Sequence, residues 1–183
     1  MPRRLFISFA LVCALTSPAW AQTRLTQPQL VTLKAHIDGD PALAAQPNNS
    51  DGNTAIAAAM NLAASPAFTV WKTNVPTVRV GEAFNAGELA GLTSLNHTRL
   101  QTLAIYLTAG VNPSLASIRS FFDDIFSGAG GTNTRASLLV LWKRLATRSE
   151  KLFATGTGSD AVPATMAVEG ALTYRDVEAA RTQ

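Results

Sequence analysis

TNTRASLLVLWKRLATRSEKLFA, residues 132–154, carries the strongest periodicity in the chain. Leu138, Leu141, Trp142, Leu145, Leu152 and Phe153 recur at spacings that predict one buried helical face. Arg144, Arg148 and Lys151 follow at i, i+4 and i+7 and predict a basic stripe on another face. Thr132, Asn133 or Thr134 supplies a cap, so the pattern predicts the longest helix of the protein, running to about Ala154. Gly128-Ala129-Gly130-Gly131 before it is a flexible connector, and the polar run 155–160 after it is a tight loop.

The flanking segments predict further helices. Asn112-Pro113 opens one that carries Leu115, Ile118, Phe122, Ile125 and Phe126 and closes at Gly128. Thr26 and Pro28 start another with a Leu30, Leu33 and Ile37 stripe, ended by Gly39-Asp40-Pro41. After the turn-rich loop 46–53, Asn53 or Asp51 caps a short alanine-rich helix through Ile56 and Met60. Residues 67–73 fit either a strand or a short helix, and the β-branched, proline-broken run 75–80 predicts extended chain. A helix is expected over 82–92, where Gly87 and Gly91 each weaken it by about 1 kcal/mol. Thr93 or Ser94 caps the next, with Leu95, Leu100, Leu103, Ile105 and Leu107. Residues 166–168 and 171–173 predict a small hairpin turning at Glu169-Gly170. Thr173 and Asp176 form a capping-box pattern that starts a last short helix. The expected fold is mainly α: a compact multi-helix domain over residues 22–183 with about five to seven helices and a minor extended segment or small β-hairpin.

The N-terminus, MPRRLFISFALVCALTSPAWA, has the form of a signal peptide. Arg3 and Arg4 are followed by an apolar run from Leu5 to Leu15, and Ala19-Trp20-Ala21 makes a small-x-small cleavage site. That run is shorter than the about 20 residues a permanent membrane helix needs. If the segment is cleaved, the product is periplasmic or secreted; otherwise it is expected in the host cytoplasm or a virion. Without residues 1–21, thirteen basic residues face twelve acidic ones, a net charge of +1. So small a charge argues against a dedicated nucleic-acid binder. Cys13, the sole cysteine, lies in the apolar run, so the remainder has no disulfide, thiolate nucleophile or cysteine metal site.

Motifs for chemistry are sparse. His36 and His97 lack metal-ligand spacing. Asp123 and Asp124 point about 100° apart on a helix, which suits a solvated face or a pair with Arg119 better than acid–base catalysis. The glycine run 128–131 precedes a helix N-terminus but lacks the Gly-Lys-Ser/Thr ending of a phosphate loop. There is no Gly-x-Ser-x-Gly and no supported Ser-x-x-Lys. No catalytic, cofactor or metal residues are therefore expected. Arg144, Arg148 and Lys151 are the candidates for contact with a partner or a phosphate. Phe68, Trp71, Trp142 and Phe153 are candidate core or interface anchors.

Two blocks carry a resemblance: ALAAQPNNSDG at 42–52, continuing to PAFTVWKTNVP at 66–76, and LWKRLATRSEKLFATGTGSDAVPATMAVEGALTYRDVEAAR at 141–181. Together they resemble a family of small proteins of tailed bacteriophages and prophages without an assigned activity. The likeness spans roughly Leu25 to Arg181 and implies a virion structural or assembly component whose partners are other phage subunits or its own copies. Members of that family begin near the equivalent of Leu25 without an export signal, so the front of this chain departs from them. Three functions follow as expectations. The first is a non-enzymatic phage-derived protein that works by packing. The second is an exported helical binding protein with Trp71 and Lys72 beside a pocket. The third is a cell-wall hydrolase, for which no acid–base pair or zinc set is visible. Nucleic acid is a weaker candidate partner; neither a membrane for the mature form nor a small molecule is expected.

Overall fold

Capping chemistry sets most of the helix starts, and burial decides which helices meet. The computed structural model describes residues 25–183; the expected signal peptide lies outside them. Helix α1 (Gln27–Gly39) begins as its spacing predicts, with the Thr26 N–H donating to Gln29 Oε1 at 2.8 Å and Leu30, Leu33 and Ile37 buried. Asp40 then accepts from the N–H groups of Ala42 and Leu43 and starts α2 (Pro41–Ala44). Helix α3 (Ser50–Met60) starts earlier than expected. Its cap is Asn49, which accepts from the Gly52 N–H at 2.9 Å, whereas Asn53 is buried inside the helix.

Five short helices follow strand β1 (Thr69–Trp71): α4 (Thr77–Glu82), α5 (Ala86–Ala90), α6 (Ser94–Tyr106), α7 (Ala116–Ile125) and α8 (Thr132–Trp142). The extended run expected over 75–80 shrinks to one bridge, in which Val75 and Val111 exchange N–H···O bonds of 2.8 Å. Helix α4 starts immediately afterwards, behind Pro76. The helix expected over 82–92 is split, because Asn85 caps α5 by accepting from the Glu88 N–H. Helix α7 begins at Ala116, since the Asn112 side chain closes on the N–H of Ser114, two residues on, instead of capping a helix at Pro113.

The largest departure lies in residues 132–154. The periodic pattern is one helix by sequence and three elements in the fold: α8, strand β2 (Lys143–Leu145) and α9 (Arg148–Phe153). Strand β2 pairs antiparallel with β1, in the register Thr69–Leu145, Val70–Arg144 and Trp71–Lys143. The N–H groups of Lys72 and Ala146 donate to Trp142 and Phe68 carbonyls at 2.8 Å, and that of Arg148 donates to Leu62 O at 2.9 Å. These bonds replace the i→i−4 bonds a continuous helix would make. Thr147 and Glu150 form a reciprocal capping box that restarts the helix. Consequently Leu145, expected on the buried face, is exposed.

The expected hairpin over 166–173 also yields to a longer-range pairing. Strand β3 (Ala154–Thr155) joins β4 (Thr165–Met166) across the 156–164 loop. Gly158 lies in that loop at φ +65°, and a Cβ there would fall 2.1 Å from the Phe68 ring. Helix α10 (Tyr174–Arg181) starts on the predicted Thr173–Asp176 box.

Burial is divided among three clusters. Leu33, Ile37, Ile56, Met60, Phe153 and Val177 join α1, α3, α9 and α10. Val80, Val111, Phe122, Ile125, Phe126, Leu138 and Trp142 join the α4–α8 region, with Phe122 edge-on to Trp142 at 5.4 Å between centroids. Successive side chains of β1 alternate faces, so Trp71 enters this second cluster while Val70 packs with Ala146, Ala164 and Met166 in the third. Strand β1 is thus the seam of the molecule. Ten α-helices and two small antiparallel two-stranded sheets make up the described residues, a predominantly α domain as the composition of elements predicts.

Candidate functional site

The basic stripe does not exist as a helical face. Arg144 is on β2, and Arg148 and Lys151 are on α9. Each is engaged by the protein itself. Arg144 grips Glu150 with both Nη atoms at 2.7 Å, and also reaches Glu169 at 3.2 Å. Glu150 is 2% exposed, and its carboxylate additionally accepts from the N–H groups of Thr147 (3.0 Å) and Gly170 (3.2 Å). Burial alone would push the Glu150 carboxyl up; the Arg144 guanidinium and the two backbone donors outweigh it and hold the group below the usual range. Arg144 is raised in turn, chiefly by Glu150.

Arg148 pairs with Asp40 at 2.8 Å, linking α9 to the start of α2. Its hydrogen bond is the main cause holding Asp40 below the ordinary aspartate value. Lys151 stands 5.5 Å above the Phe68 ring and makes no ion pair. Two of the three cations, Arg144 and Arg148, therefore face Glu150, Glu169 and Asp40, and these pairs tie β2, α9, α2 and the 169–170 turn together.

The glycine-rich connector also finds an internal answer. A 3₁₀ turn (Ala129–Gly131) leads into α8, and the free N–H groups of Asn133 and Thr134 donate to Glu88 Oε1 and Oε2 at 2.8 and 2.7 Å. The anion at this helix N-terminus is a side chain of α5. Burial raises Glu88, but the Thr134 and Asn133 donors bring it below its ordinary value. Nothing local in the sequence points to Glu88, which lies 45 residues away. Glu150 had a legible signal, the Thr-x-x-Glu pattern at 147–150.

Among the anchors, Trp71, Trp142 and Phe153 are buried and Phe68 is half-buried. Trp71 and Trp142 meet in the second cluster; Phe153 belongs to the first and Phe68 to the third. Between β1, α7 and α8 lies a cavity of about 330 Å³ lined by Trp71, Trp142, Leu138, Arg119, Arg135 and Asp123. The Arg119 guanidinium stacks on Trp71 at 4.3 Å from the ring centre, and its Nη1 donates to the carbonyls of Pro113 and Ser114. Burial lowers its pKa, and Asp123 partly restores it through space. Of the two readings of Asp123-Asp124, a solvated face or a pair with Arg119, the first holds: both acids are exposed, and Arg119 is drawn onto Trp71 and those carbonyls. The Trp142 Nε1 is buried with no hydrogen-bond partner. Lys72, expected beside Trp71, turns away and donates to Leu141 O at 2.7 Å.

His36 and His97 lie on α1 and α6, and no group of three or more His, Cys, Asp or Glu that could hold a metal occurs among the described residues. No helix among them is long and apolar enough to cross a membrane. The chain matches no protein-family model, no curated protein sequence and no solved structure.

Proposed function

We propose that this chain is a non-enzymatic protein of phage or prophage origin, a virion structural or assembly component that acts by packing against other subunits, including its own copies. The observation that carries this reading is the outer side of α8. Leu139 and Val140 are 42% and 73% exposed there, and Val140 borders an open groove of about 590 Å³ shared with Ala83 and Arg79 of the α4 region. Adjacent exposed aliphatic residues beside a shallow groove suit a protein surface better than water. The internal neutralisation of Arg144 and Arg148 supports packing over phosphate contact. The origin rests on the resemblance carried by residues 42–52, 66–76 and 141–181.

Size-exclusion chromatography with light scattering tests the packing, and mass spectrometry of induced particles tests the origin. An oligomer is expected, with Val140→Asp shifting it to the monomer at an unchanged melting temperature. A strict monomer absent from particles would overturn the reading. An exported helical binding protein is the second reading, favoured by the cavity beside Trp71. It requires the native product to begin at Gln22, which N-terminal sequencing decides.

A further inference from the structure

The cavity between β1, α7 and α8 brings together donors that the rest of the protein does not use. Arg119 spends Nη1 on two backbone carbonyls. Its Nε and Nη2 atoms, the flat edge that matches a carboxylate side-on, have no hydrogen-bond partner among the described residues. Trp142 lines the same cavity, and its Nε1–H, buried in a residue 3% exposed, has no acceptor. Arg135, a third contributor, is fixed by the carbonyls of Phe126 and Gly128 and adds a second positive charge. Asp123 is the cavity's one acidic residue, so its charged lining sums to +1.

We propose that this cavity binds a small organic carboxylate with a flat apolar body. The carboxylate lies against the Nε–Nη2 edge of Arg119, and the body rests on Leu139, the exposed apolar side chain of the lining. The volume of about 330 Å³ falls at the lower end of ligand pockets, roughly 300–1,000 Å³. A monoanion matches the lining charge, while a phosphate dianion would meet Asp123 with an uncompensated charge. Leu139 borders both this cavity and the exposed α8 surface on which the assembly reading rests, whereas Val140 lies outside the lining, so Val140→Asp tests that reading without altering the cavity.

Trp71 and Trp142 both line the cavity, so indole fluorescence follows its filling once Trp20→Phe removes the third tryptophan. Benzoate, benzamide and phenyl phosphate are the probes, titrated into the full chain. Benzoate should give a saturable change, with benzamide and phenyl phosphate each binding about tenfold more weakly. Arg119→Gln should weaken benzoate by about tenfold, and Asp123→Asn should tighten it severalfold. Equal binding of benzamide, tighter binding of phenyl phosphate, or no saturation by benzoate would overturn the proposal. Should Arg119→Gln fail to fold, Asp123→Asn carries the test. Asp123 is exposed, and an unchanged benzoate affinity in that variant is also fatal.

Discussion

Glu150→Ala removes a carboxylate that accepts four hydrogen bonds, two from Arg144 and one each from the N–H groups of Thr147 and Gly170. Breaking a buried ion pair by deleting one partner costs about 3–5 kcal/mol, because the other charge stays behind. Two features place this case at the lower end. The Arg144 side chain is 29% exposed, so water recovers part of its solvation, and Glu169 at 3.2 Å remains as a partner. Loss of the capping box on α9 adds to the cost. A destabilisation of about 3 kcal/mol is expected. At about 2–4 °C per kcal/mol for a chain of this size, the thermal midpoint should drop by about 6–12 °C. Urea denaturation of the wild type, Glu150→Ala, Arg144→Ala and the double variant closes a cycle whose coupling should exceed about 1 kcal/mol. A loss below about 1 kcal/mol for Glu150→Ala, with coupling under about 0.5 kcal/mol, would refute the claim that this pair ties β2 to α9.

Gly158→Ala should cost about 2 kcal/mol in urea denaturation, since φ +65° and the Phe68 ring both oppose a Cβ. Gly39→Ala, with nothing within 4 Å, is the control that should lose nothing. Stability should also fall in acid. The folded pKa of Glu150 is depressed, so its contribution is complete above the unfolded glutamate value of about 4.3 and is lost as pH drops through the folded value. Urea midpoints measured from pH 6 to pH 3 should decline more steeply for the wild type than for Glu150→Gln; parallel curves would remove Glu150 from the acid response.

The starts of α1, α6 and α10 were legible because a cap is a local event. Thr26, Thr93 and Thr173 each precede their helix, and each acts on backbone or side-chain groups within three residues. The buried stripe of α1 was legible for the same reason: one period, one face. Residues 143–147 were not, although the Thr147–Glu150 box offered a hint. Their apolar spacing fits a helix, and only the open edge of β1, more than 70 residues upstream, makes a strand the better place for their N–H and C=O groups. The candidate site followed the same division. Sequence named Arg144, Arg148 and Lys151 as cations and Trp71 and Trp142 as large rings, which is chemistry carried by single residues. Which carboxylates answer the cations, that Glu88 fills the N-terminus of α8, and that Arg119 stacks on Trp71 in a cavity shared with Trp142 are decided by distances between remote segments. The sequence by itself determined a mainly α chain and the caps of α1, α6 and α10, because those depend on neighbours within a few residues. Tertiary structure alone decided where the longest apolar pattern breaks and which charges are left for other molecules, because backbone pairing and ion pairing are settled by segments distant in the chain.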